Sequence, residues 1–183
     1  PIHPEELGID FLSASAHKFH GPKGIGFLYA SSADFDSYLH GGDQEQKKRA
    51  GTENLAAIVG MVAALKEDLN DQAKHYQKLS ALKSAFLEEI ADLDYYLNES
   101  NHQLPYVVNI GFPGQKNDLL LLRLDLEGIS ISTGSACTAG IVQTSHVLKA
   151  FYGPDSHRLK ESVRISLSPL NTKEELKQLA QTL

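Results

Sequence analysis

The chain has 183 residues, of which 42% are hydrophobic and 22% charged, with a formal net charge of −6. This is the make-up of one folded domain, or of a domain with part of another, and it excludes disordered and collagen-like classes. No apolar run approaches the ~20 residues needed to cross a bilayer, the opening PIHPEELGID lacks the pattern of a signal peptide, and the net negative charge argues against a nucleic-acid binder.

In chain order, residues 9–12 and 24–29 are apolar runs too short for helices. They are predicted as strands around a turn marked by Gly21-Pro22. Residues 40–54 read as a polar loop whose basic run Gln46-Lys47-Lys48-Arg49 is solvated. Asn54 is the predicted cap of a helix over 55–69, apolar nearly all round and therefore expected to be buried. A second helix is predicted over 72–93, with Leu79, Leu82, Phe86, Ile90 and Leu93 recurring at steps of three and four on one face.

Beyond residue 105, strands and helices alternate. Strands are predicted at 107–112, 129–133 and 162–167. A helix at 118–127 has Asn117 as cap and Gly128 beyond its end, and a shorter one at 144–151 is closed by Gly153. Thr172-x-x-Glu175 is a capping box that opens the last helix. Residues 55–183 thus form a small α+β domain with its own core. Residues 1–54 fit it poorly, because two strands do not make a stable sheet alone. The chain is expected to be a fragment, its first segment belonging to a larger domain.

Four places carry chemistry. Lys18 ends the run Ser13-Ala14-Ser15-Ala16-His17-Lys18. A lysine held in a cleft at a strand end is neutral part of the time and can form a Schiff base, with Ser15 and His17 placed for phosphate or ring contacts. The local alternative is a solvated lysine. Cys137, the single cysteine, lies among small residues between Gly134 and Gly140. It cannot form an intramolecular disulfide, and it fits a reducing compartment. Glycine on both sides predicts an exposed moving loop, which suits a travelling nucleophile better than a structural thiol. A small residue in a tight turn is the other reading. Arg164, inside the strand Val163-Arg164-Ile165-Ser166-Leu167, needs a bidentate carboxylate, from protein or from substrate. Gly51-Thr52 can cradle a phosphate with backbone N–H and side-chain O–H, although capping by Thr52 and Asn54 fits equally well on local grounds. His17 and His20 have no partner at metal-ligand spacing, so no zinc or iron site is expected.

Taken together, these segments resemble the NifS/IscS-type cysteine desulfurases of the class V aminotransferase family. The likeness rests on Ser15-Ala16-His17-Lys18-Phe19-His20-Gly21-Pro22-Lys23-Gly24, on His40-Gly41-Gly42 with Arg49-Ala50-Gly51-Thr52-Glu53-Asn54, on Ser132-Thr133-Gly134-Ser135-Ala136-Cys137, and on Ser162-Val163-Arg164-Ile165-Ser166. It implies an α/β fold: part of a fold-type I pyridoxal-phosphate transferase, with the last strands of the large domain in 1–54 and an α+β small C-terminal domain in 55–183. It also implies pyridoxal 5′-phosphate as cofactor. Lys18 would be the cofactor lysine, Ser15, His17 and Thr52 further cofactor contacts, Arg164 the ligand of the substrate carboxylate, and Cys137 the nucleophile.

Thr52 would reach the phosphate of the neighbouring subunit of a homodimer. The implied reaction converts L-cysteine to L-alanine and a persulfide on Cys137. That sulfur passes to an acceptor protein of iron–sulfur cluster or tRNA-thiolation pathways, in the cytoplasm, without nucleic acid, membrane or metal. The long stretch between Cys137 and Arg164 resembles the NifS/IscS group rather than the SufS-like group. Ala139-Gly140 departs from the serine of many members. A selenocysteine lyase, another class V aminotransferase and an inactive truncated scaffold are the alternative readings. Because the family's ring-binding half has no counterpart in this sequence, these residues alone are expected to bind the cofactor weakly or not at all.

Overall fold

The structure is a computed structural model that describes residues 2–100, 102–134 and 144–183. It divides into two compact units, Pro1–Gln72 and Ala73–Leu183.

In the first unit, β1 (Phe11–Ser15) runs antiparallel to β2 (Gly26–Ala30), in register from Phe11↔Ala30 to Ser15↔Gly26. Both strands begin two residues later than predicted. No residue of either strand is fully buried, because two strands offer each other edges and no second layer. Phe11 meets Phe35 edge-on at 5.6 Å between centroids, and the Lys48 ammonium lies 4.7 Å from the centre of the Phe35 ring. The helix α1 (Leu55–Glu89) starts as predicted, with Asn54 Oδ1 accepting from Ala57 N at 3.2 Å.

Two expectations for this helix are corrected. It is one helix of 35 residues rather than two, because Asn70-Asp71-Gln72 contains neither glycine nor proline and weak helix formers cost only tenths of a kcal/mol each. Its apolar start is not buried all round: Leu55, Val59 and Val62 are 70%, 69% and 40% exposed. The side that packs carries small or flexible residues instead. Met61 is buried, and Pro22 lies so close to Gly60 that a Cβ there would stand 2.8 Å from its Cγ.

In the second unit, the last turns of α1 bury Leu79, Leu82 and Phe86, and Ile90 just past its end is buried with them, as the periodicity predicts. Leu93 is 40% exposed, because the helix stops at Glu89 and the stripe ends with it. These side chains pack on an antiparallel sheet of β3 (Tyr96–Leu97), β4 (Val107–Gly111) and β5 (Ser162–Ser166) in the order β3-β4-β5. Val108 pairs with Ile165 and Ile110 with Val163, and all four lie in the core. Alternation turns Asn109 and Arg164, also paired, to the opposite face. The predicted strand at 129–133 is reduced to one bridge, Ser132↔Arg164.

The helices α2 (Asn117–Leu126) and α5 (Lys173–Thr182) add Leu120, Leu124, Leu176 and Leu179 to the same core. Asn117 is not the cap. Its amide donates instead to Ser162 O at 3.0 Å, which ties the start of α2 to β5. The capping box of α5 forms in full: Glu175 N donates to Thr172 Oγ1 at 3.2 Å, and Thr172 N to Glu175 Oε2 at 2.9 Å. That N–H and the Asn171 amide, the larger influence, hold the Glu175 carboxyl below the usual carboxylate range. The short helix predicted at 144–151 is α3 (His146–Tyr152), capped by Ser145 Oγ at 3.3 Å from Leu148 N. A single further turn, α4 (Arg158–Glu161), is too short to leave a period in the sequence.

The two faces of α2 give a direct test of this packing. Leu124 is fully buried, whereas Leu126 is 79% exposed. Leu124→Ala should lower stability by about 2–5 kcal/mol, and Leu126→Ala by less than about 0.5 kcal/mol. Urea-unfolding midpoints read the difference, and equal losses would mean that the outer face of α2 is covered.

Candidate active site

Lys18 lies in a single 3-10 turn, Ala16–Phe19, between β1 and β2. Ala16 is wholly buried and holds the turn at both ends. Its N–H donates to Ile25 O at 3.0 Å, and its carbonyl accepts from Gly21 N at 2.8 Å. His20 closes the turn in the left-handed region, at φ 64°. Ser15, His17 and Lys18 are therefore brought together by one tight turn and are all exposed. The cleft expected around Lys18 is not formed within this unit, since the bare strand pair has no layer to wall it. Among the described residues no carboxylate pairs with the Lys18 amine.

The loop before α1 is held by a parallel bridge, Leu39↔Arg49, and by Ala50 N donating to Leu39 O at 3.1 Å. Glu45, Gln46 and Lys47 stand in succession at φ 50°, 55° and 65°. A left-handed turn of three side-chain-bearing residues costs about 1–2 kcal/mol at each. The phosphate cradle read from Gly51-Thr52 is corrected in one part. Gly51 N already donates to Gln44 Oε1 at 3.1 Å, so this amide is taken. Asn54 caps α1, and Thr52 makes no hydrogen bond among the described residues, which leaves its exposed hydroxyl available.

In the second unit, Arg164 sits at the centre of β5. Its N–H donates to Ser132 O at 2.6 Å and its carbonyl accepts from Ser132 N at 3.1 Å. Its Nε is buried and has no hydrogen-bond partner, and among the described residues no carboxylate pairs with the guanidinium. The ion pair that would make it merely structural is thus missing, and a buried donor of this kind needs an acceptor. Ser132 precedes Cys137 by five positions. Cys137 itself lies outside the described residues.

A polar network beside Arg164 was not read from the sequence. The Arg158 guanidinium is sandwiched between Tyr96 and Tyr152, 4.1 and 4.5 Å from the ring centres. Its Nη1 donates to Asn98 Oδ1 at 2.7 Å. Asn98 Nδ2 donates to Asn109 Oδ1 and to Ser162 Oγ, both at 2.8 Å. Tyr96 OH donates to Glu161 Oε2 at 3.1 Å; burial pushes this hydroxyl up to about 12, and the Glu161 carboxylate adds to the rise. The available signal was alternation: Val-Val-Asn-Ile in β4 sets Asn109 opposite the core, as Val-Arg-Ile in β5 does Arg164.

The profile of the aminotransferase class-V family matches residues 1–179. The chain belongs to the class-V aminotransferase family. This class-V chain is 44% identical over 184 residues to the putative cysteine desulfurase IscS 1 of Bacillus subtilis, a match covering 98% of the chain and 48% of that protein. Among solved structures, a NifS-like protein superposes with a TM-score of 0.87 at 31% identity, over 99% of this chain and 47% of the other. SspA in complex with cysteine superposes with a TM-score of 0.72 at 30% identity, over 93% of this chain and 47% of its own. The chain spans about half the length of the relatives it matches, and its α/β fold is that of about half of a NifS-like, fold-type I chain.

Proposed function

We propose that this chain supplies the lysine, the carboxylate-binding arginine and the sulfur-accepting thiol of a cysteine desulfurase acting on L-cysteine. The observation that carries the reading is Arg164: a buried, unpaired guanidinium nitrogen in a chain whose single cysteine follows its bridging strand partner. The residues fit pyridoxal phosphate in kind. The Lys18 amine is unpaired among the described residues, and the Thr52 hydroxyl is free to donate. The cofactor, when bound, supplies an electron sink for the carbon framework of the amino acid. Lys18 would hold it and would move the proton at Cα. Ser15 and His17 would contact its phosphate and ring, and Thr52 would donate to the phosphate held by the other subunit of a homodimer. Arg164 takes the α-carboxylate in a bidentate grip and fixes the orientation of the substrate. Cys137 attacks the substrate sulfur; the S–S bond forms as the C–S bond breaks, leaving alanine and a persulfide. An acceptor protein in the cytoplasm, of an iron–sulfur or tRNA-thiolation pathway, receives that sulfur. In this reading residues 1–54 belong to a large cofactor-binding domain and 55–183 to a small one.

The complete protein, incubated with L-cysteine and without added thiol, is expected to form alanine and protein-bound persulfide in equal amounts. Alanine without persulfide would overturn the proposal in favour of a lyase, and the 2-oxo acid of cysteine with its C–S bond intact would do so in favour of a transaminase.

A further inference from the structure

The hydrogen-bond ladder next to Arg164 has a fixed polarity. A guanidinium only donates, so the Asn98 side chain must turn its oxygen to Arg158, which it does at 2.7 Å. Its amide nitrogen then faces Asn109 and Ser162. Asn109 must answer with its oxygen, and the orientation of its amide is thereby decided by Arg158, two links away. The NH2 end of Asn109 is left free, with no acceptor among the described residues.

Asn109 is the cross-strand partner of Arg164. Both backbone polar groups of Arg164 are used by Ser132 on its other side, so Asn109 and Arg164 form the closer, non-hydrogen-bonded type of antiparallel pair. In such a pair the Cβ atoms stand about 4.5–5.5 Å apart on the same face. Here the pair presents two donors, the Asn109 NH2 and the guanidinium with its unpartnered Nε, and among the described residues neither is paired with a carboxylate, since the nearby Glu161 carboxylate accepts from Tyr96 OH. Adjacent donors without an acceptor fit an anion with two oxygens.

We infer that Asn109 is a second ligand of the substrate carboxylate: it donates to one of the two oxygens that Arg164 grips, and the Arg158–Asn98 ladder fixes its donating end. The inference rests on the desulfurase reading for the identity of the substrate, and on the network alone for the existence of the site.

Asn109→Asp tests it in the complete, cofactor-loaded protein. The replacement is isosteric, still offers an oxygen to Asn98 Nδ2, and reverses only the free end, which then pairs with Arg164. The unfolding midpoint should stay at or above that of the unaltered protein. KM for L-cysteine should rise about 100-fold, by loss of a charge-assisted bond and competition for Arg164, with kcat falling far less. Asn109→Ala should raise KM about 10-fold. L-Alanine should lose affinity in step, whereas L-cysteine methyl ester, which has no carboxylate, should change by less than about threefold. The inference is overturned if Asn109→Asp leaves KM and L-alanine affinity within about twofold, or weakens acid and ester equally. A protein that makes no persulfide from cysteine would refute the desulfurase reading instead. Calorimetric binding of L-alanine, compared with Asn109→Asp, then still decides whether the carboxylate site exists.

Discussion

Lys18→Ala is expected to abolish covalent attachment of pyridoxal phosphate in the complete protein and with it the visible absorbance of the bound cofactor. The reason is local. The turn that presents Lys18 is built by Ala16, Gly21 and His20, whose bonds involve backbone atoms only. The Lys18 side chain is exposed and has no pairing carboxylate among the described residues. Removing it therefore costs the fold less than about 0.5 kcal/mol, and the turn survives the change. What is lost is the only amine at that position, and turnover should fall by at least about three orders of magnitude. Borohydride reduction followed by peptide mapping reads the linkage without reference to activity. A reducible linkage that persists in Lys18→Ala would move the role to Lys23, which is also exposed on the same connection between β1 and β2.

Cys137→Ser separates desulfurase from aminotransferase. Serine preserves size but replaces an easily ionised thiol by a hydroxyl that is hardly ionised near neutrality. Lys18 and Arg164 are untouched, so cofactor and L-cysteine should bind as before. Protein-bound persulfide should disappear, and sulfide release should fall by about three orders of magnitude or more. No other thiol in the chain can substitute, because Cys137 is the single cysteine. Alanine production at the unaltered rate in Cys137→Ser would make the thiol a bystander and bring the lyase and aminotransferase readings forward.

What could be read from the sequence was whatever a short window decides. The stripe Leu79, Leu82, Phe86, Ile90 is buried as its spacing requires, and Thr172 and Glu175 form the reciprocal cap their spacing encodes. For Lys18 and Arg164 a short window left a solvated lysine and an internal ion pair open, and their roles were implied only by the resemblance of four ordered segments to the cysteine desulfurases. The polar network beside Arg164 could not be read. Arg158 meets Asn98 across 60 positions, and Asn117 meets Ser162 across 45, so no window contains both members. The same limit misplaced two local judgements. Gln44 takes the Gly51 amide seven positions away, which the Gly-Thr pattern does not register. The start of α1 reads as buried on composition alone, yet burial depends on which layer covers it, and its own unit covers only the Met61 side.

Gly111 and Tyr96 carry a consequence for how this sequence can change over time. Tyr96 lies across the strand pair from Gly111, and a Cβ built at Gly111 would stand 2.3 Å from the Tyr96 Cζ. A side chain at 111 is therefore admitted only where the ring at 96 swings aside or is given up. Losing that ring also strips Arg158 of one of its two aromatic faces and Glu161 of its hydroxyl donor. A drift at one small residue is thus barred less by the space around it than by the number of simultaneous changes it demands, and the route out of Gly111 runs uphill through Arg158.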